Sequence, residues 1–206
     1  MKTEQSFEKD LASIHQLMER SVKFISLSGI SGILAGSYAL MGAGAAYYIT
    51  IYPGSFFDKH IFTVQELEAF TKLISIALVV LVASIATGLW VSARKAKRMG
   101  IEVWGAAGRH LLVNLSIPLA SGGFFAILCA WQGHMEIVAA SCLVFYGLAL
   151  INASPNLFDE MRYLGISEIT LGLVSIAVPG YSLLFWSLGF GVLHIVYGIA
   201  LYKKYN

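Results

Sequence analysis

Charge is sparse in this sequence. Asp, Glu, Lys and Arg together make up 13% of its 206 residues, against 57% hydrophobic residues and a mean hydropathy of +0.72. That is far too little polar surface to clothe a water-soluble globule of this size. Proline and cysteine are scarce as well, with four and two residues. Cys129 and Cys142 lie within apolar runs rather than in a loop with metal-ligand spacing, and so read as small buried hydrophobes. His15, His60, His110 and His134 form no HxxxH or HExxH pattern that would gather a zinc ion, and no complete catalytic motif occurs, so no metal and no cofactor is expected. A net charge of +2 is also no signature of nucleic-acid binding, and nucleic acid is not an expected partner.

Apolar runs fill the chain instead. A helix needs about 20 apolar residues to cross a hydrocarbon core of about 30 Å, and six runs qualify, at residues 23–48, 73–92, 111–131, 135–152, 157–178 and 183–202. The fold class expected is therefore all-α: a polytopic six-helix transmembrane bundle over residues 23–206, whose first partner is the lipid bilayer. Residues 1–22 form a separate cytoplasmic or interfacial segment, where Phe7, Leu11, Ile14, Met18, Val22 and Ile25 recur at steps of three and four and define one face of an amphipathic helix. The first run follows about 20 polar residues, exceeds a signal-peptide core and has no evident cleavage site, so it is read as a retained helix.

Orientation follows from Lys and Arg, which resist translocation. Arg94, Lys95, Lys97, Arg98 and Arg109 face a single Glu102 in the stretch 93–110, which places that loop in the cytoplasm beside anionic head groups. Twelve of the fourteen basic residues then fall on the N-terminus, the second loop, the fourth loop and the C-terminus, leaving Lys59 and Lys72 outside. The expected location is the inner (plasma) membrane, multi-pass, with both termini cytoplasmic. In the loops, Thr63 is the expected N-cap of the second helix, and Ser154 or Asn156 that of the fifth. Pro118 and Pro179 are expected to kink or end their helices.

Small residues recur with a pattern. The first run holds Gly29, Gly32 and Gly36, and Gly32-x-x-x-Gly36 is a spacing that lets two backbones approach closely in lipid. Gly29 to Gly36 matches Gly165 to Gly172 in the fifth run at five of eight positions, and Tyr146-Gly147-Leu148-Ala149-Leu150 corresponds to Tyr197-Gly198-Ile199-Ala200-Leu201. Asn114 to Gly165 and Gly147 to Gly198 share one offset of 51 residues. Two matches at one offset predict three tandem helical hairpins in parallel repeat, at about residues 23–92, 109–153 and 157–204. Gly147, Gly172 and Gly198 join Gly29, Gly32 and Gly36 as helix-packing positions.

Gly165, Gly172, Pro179, Gly191 and Gly198, spaced by seven, seven, twelve and seven, resemble the short membrane repeat of HdeD-type acid-resistance proteins. The resemblance covers residues 165–201; hairpin two keeps only Gly147 of the ladder. It implies a six-helix inner-membrane fold and a stress-related role, and it brings no catalytic residue.

Four polar residues stand out within or at the ends of the runs. Antiparallel counting about a turn near Gly133 makes Asn114 level with Asn152, and about a turn near Tyr181 makes Glu168 level with His194. Glu168 is the only acid, and His194 the only histidine, well inside a run. Charge at that depth costs several kcal/mol unless paired, protonated or wet. One reading is a proton-sensitive switch or relay; the other is a neutral hydrogen bond between helices. The serines at 31, 116 and 167 recur in register without an accompanying His and acid, which argues against a hydrolytic triad. The expected function is a non-enzymatic structural or stress-response membrane protein. The alternatives are a small transporter or channel built on Glu168 and His194 and working as a homo-oligomer, and an intramembrane enzyme acting on lipid.

Overall fold

A computed structural model describes residues 11, 29–51, 64–99, 106–154 and 159–205 of the chain, and all but a few turn residues of them are helical. In order they form α1 (Gly29–Ile51), α2 (Val64–Met99), α3 (Ala106–Trp131), α4 (Met135–Ala153), α5 (Asp159–Ala177), α6 (Ser182–Trp186), a π-helical segment (Ser187–Leu193) and α7 (His194–Tyr205). The last three run on without a break and make one final rod. Four of the helices and the final rod are long and apolar enough to cross a membrane: α1, α2, α3, α4 and the final rod. The exception is α5, which has the length but carries Asp159, Glu160, Arg162 and Glu168 in its 19 residues. The amphipathic reading of residues 1–22, the Thr63 cap and the Asn156 cap lie outside the described residues, save for exposed Leu11.

The basic stretch after residue 92 is helix where the sequence reading placed a loop. α2 continues through Arg94, Lys95, Lys97 and Arg98 to Met99, because Ala, Lys, Arg and Met are strong helix formers and cations suit the negative end of a helix dipole. Ser154 does not cap the fifth helix either. It closes α4, its hydroxyl donating back to the Ile151 carbonyl at 2.8 Å. Pro118 does not end its helix, for α3 continues on both sides of it. Proline has no N–H for the carbonyl four residues earlier, which here belongs to Asn114, and the Asn152 side-chain amide of α4 donates to that carbonyl at 2.8 Å. One helix thus repairs the gap in its neighbour.

The turns are made by glycine. After α3, Gly133 takes φ 87°, His134 N–H donates to Cys129 O at 2.9 Å and Gly133 N–H to Ala130 O at 3.1 Å, the Schellman arrangement that ends a helix on a left-handed residue. Pro179 and Gly180, the latter at φ 90°, turn the chain between α5 and α6.

In space α1 packs on α2 and on the final rod, α4 packs on α3 and α5, and α5 also meets the final rod. Two of these contacts are made backbone to backbone in matching register. A Cβ at Gly36 would lie 2.5 Å from Gly191 O and 2.7 Å from Ile195, and one at Gly198 would lie 2.6 Å from Gly29 O. On the other side of the molecule a Cβ at Gly147 would lie 2.5 Å from Gly165 O, one at Gly165 2.7 Å from Gly147 O, and one at Gly172 2.6 Å from Val144. Gly29, Ile33 and Gly36 advance by 136 residues to Gly165, Ile169 and Gly172; Gly191, Ile195 and Gly198 step back by 51 to Ala140, Val144 and Gly147. α1 on the final rod and α5 on α4 therefore use equivalent positions. Only hydrogen-sized side chains permit such approach, which replaces the missing hydrophobic drive in lipid with dispersion.

Candidate functional site: a buried carboxyl, imidazole and phenol

The buried residues of α5 are Met161, Leu164, Gly165, Glu168, Gly172 and Ser175. Their spacing of three and four puts them on one helical face, so a carboxyl is carried into the core on a stripe otherwise made of apolar and small groups. Glu168 is 0% exposed, and neither of its oxygens receives a hydrogen bond. It lies against Leu143 of α4 and against the bare Cα of Gly189, where any Cβ would strike the carboxylate.

Gly189 belongs to the π-helical segment. A π turn is wider than an α turn and leaves backbone groups free for other partners, which is why such segments recur at functional sites. His194 follows directly and folds back, its Nδ1 3.0 Å from Gly189 O. A carbonyl only accepts, so Nδ1 carries the hydrogen; in the neutral ring Nε2 is then the acceptor, and the Tyr146 hydroxyl donates to it at 2.8 Å. The imidazole is 5% exposed and its Nδ1 stands 3.5 Å from Glu168 Oε1. Aromatic rings close the far side: Trp186 meets Phe190, and Phe190 meets both Tyr146 and His194, with centroids 5.1 to 5.9 Å apart.

An unpaired carboxylate in this setting would be an uncompensated charge among apolar groups. The arrangement has two states without net charge: a carboxylic acid beside a neutral imidazole, or a carboxylate beside an imidazolium. Proton gain or loss by either group changes the charge of the core, so the site can register protons. Tyr146 on α4 and Tyr197 on α7, which is buried nearby in the α4, α5 and α7 core, are further titratable groups of the packed elements.

Glu168 and His194 are thus brought together, whereas Asn114 and Asn152 are joined to each other at Pro118 on the α3–α4 contact and take no part in this cluster. Gly29, Gly32, Gly36, Gly147, Gly172 and Gly198 all lie at close helix contacts. Sequence reasoning missed Tyr146, Gly189 and the π turn. The signals were the recurrence of tyrosine at 146 and 197 before each matched glycine, and the pair Gly189 and Gly191 just before a lone intramembrane histidine. Ser116 donates back to Val113 O, and the hydrogen-bond partners of His194 are Tyr146 and Gly189. Among the described residues no three His, Cys, Asp or Glu side chains gather as a metal site.

No family model matches this chain, and no curated protein or solved structure does so either.

Proposed function

We propose that this chain is a non-enzymatic multi-pass protein of the inner membrane, with a structural or stress-response role, whose helix packing is set by the protonation of Glu168 and His194. One observation carries the reading: a fully buried carboxyl with no hydrogen-bond donor on either oxygen, 3.5 Å from a buried imidazole. Ionisable groups inside membrane helices are costly and mark functional sites, proton relays among them.

α5 serves as the sixth crossing in this reading. Its 19 residues span about 28 Å at about 1.5 Å each, its charges Asp159, Glu160 and Arg162 sit together at its start, and Glu160 pairs there with Lys204 of α7. Six crossings put both termini on one side, and the distribution of Lys and Arg makes that side the cytoplasm. The equivalent registers of α1 on the final rod and α5 on α4 support a chain built from three hairpins. Of the residues that carry the resemblance to HdeD-type proteins, Gly165, Gly172, Gly191 and Gly198 stand at those contacts and Pro179 at a turn.

The test is the pH dependence of thermal unfolding of the reconstituted protein. Glu168→Gln keeps the shape of the side chain but cannot ionise, so its melting temperature follows pH along a different curve from that of the wild type. Curves of the same shape, offset or not, would refute a proton-responsive core. Proton-coupled flux into vesicles that is lost in Glu168→Gln would instead make the chain a transporter.

A further inference from the structure

The outward face of α2 carries a pattern that the buried cluster does not use. None of the most apolar part of this helix is buried inside the chain. Val79, Val82, Ala86, Trp90, Ala93, Arg94 and Lys97 are all exposed, and at about 100° per residue they fall within about 60° of a common direction. Val79 is 68% and Trp90 62% exposed. The stripe is apolar over its first part, then aromatic, then cationic, in that order along the helix. The Arg94 guanidinium is held over the Trp90 ring at 5.3 Å from its centroid, which fixes a planar cation just beyond an interfacial aromatic. Val79 to Lys97 covers about 27 Å at about 1.5 Å per residue, enough for one leaflet of acyl chain and its head group.

We propose that this face of α2 binds an anionic phospholipid, its phosphate on Arg94 and Lys97 and an acyl chain along Trp90, Ala86, Val82 and Val79. Charge complementarity selects the lipid. The two cations stand one turn apart on the same face, no acidic residue occurs on α2 beyond Glu68, and guanidinium matches phosphate oxygens in pairs. A zwitterionic lipid offers the same apolar chains but sets its own ammonium beside these cations. A second protein helix would have to bury both charges without partners.

Native mass spectrometry of the full chain, released from micelles holding equal amounts of phosphatidylglycerol and phosphatidylcholine, tests this. Wild type retains phosphatidylglycerol in preference. The Arg94→Gln, Lys97→Gln double variant loses about tenfold of that retention, while Lys203→Gln, Lys204→Gln, which removes the same charge elsewhere, keeps it. Trp90→Ala, with all cations in place, retains about threefold less. The proposal is overturned if wild type holds both lipids equally, if the two double variants lose retention alike, if Trp90→Ala retains as much as wild type, or if inorganic phosphate alone displaces the lipid.

Discussion

Glu168 occupies on α5 the position that Gly32 occupies on α1: the two correspond under the same 136-residue step that relates Gly29 to Gly165 and Gly36 to Gly172. In the first contact the place holds only a hydrogen atom, and a Cβ there would lie 3.1 Å from Gly198 Cα; in the second it holds a glutamate side chain. A contact register built for close approach thus carries one ionisable group, and the room for it comes from Gly189 on the final rod. Gly189→Ala should therefore cost about 1 to 3 kcal/mol, the usual range for overpacking, since its methyl meets the Glu168 carboxyl and the Leu143 side chain. Gly44→Ala is the matched control, because a Cβ there meets nothing within 4 Å and alanine favours a helix. Chemical or thermal unfolding in detergent measures both. Equal effects would mean that Gly189 is not where the carboxyl is accommodated.

Between elements, the Asn152 to Asn114 bond shows how a proline inside a helix is tolerated in an apolar setting. Asn152→Leu strands the Asn114 carbonyl and should cost about 0.6 to 1 kcal/mol, the scale of hydrogen bonds between membrane helices. Adding Pro118→Ala restores a backbone N–H for that carbonyl, so the double variant should recover most of the loss, and unfolding measurements on the four proteins give the coupling. An additive double variant would refute the repair. Much at this scale was legible in the sequence. The apolar runs gave the helices, and antiparallel counting set Glu168 level with His194 and Asn114 level with Asn152, because rise per residue is constant in any helix. What distance along an axis does not encode is rotation about it. Counting therefore did not reveal that Asn152 reaches a backbone carbonyl, that Tyr146 meets His194, or that seven residues from Ser187 widen into a π turn that brings Gly189 beneath Glu168. The end of α2 was misread for a different reason: charge was taken as a sign of loop, although Lys, Arg and Ala at 93–98 favour helix.

For the molecule as a whole, the paired glycine contacts divide the bundle into α1 with the final rod and α5 with α4, while α2 and α3 lie outermost. The final rod belongs to both halves: the His194 carbonyl lies 3.2 Å from where a Cβ of Gly32 on α1 would stand, and its imidazole reaches Glu168 on α5. The Glu168 and His194 pair thus lies where the halves join. The proposed six crossings with cytoplasmic termini predict that an accessibility label at Ser55 reacts from outside and one at Lys97 from inside; reversal of either breaks the topology. Glu168 and His194 are proposed to act as one unit in the core. A double-mutant cycle on the lipid-reconstituted protein measures this coupling, with wild type, Glu168→Gln, His194→Gln and the pair compared by unfolding free energy. The double change should cost less than the sum of the single changes by about 1 kcal/mol or more, whereas additivity within about 0.5 kcal/mol would show two independent side chains and contradict the coupling.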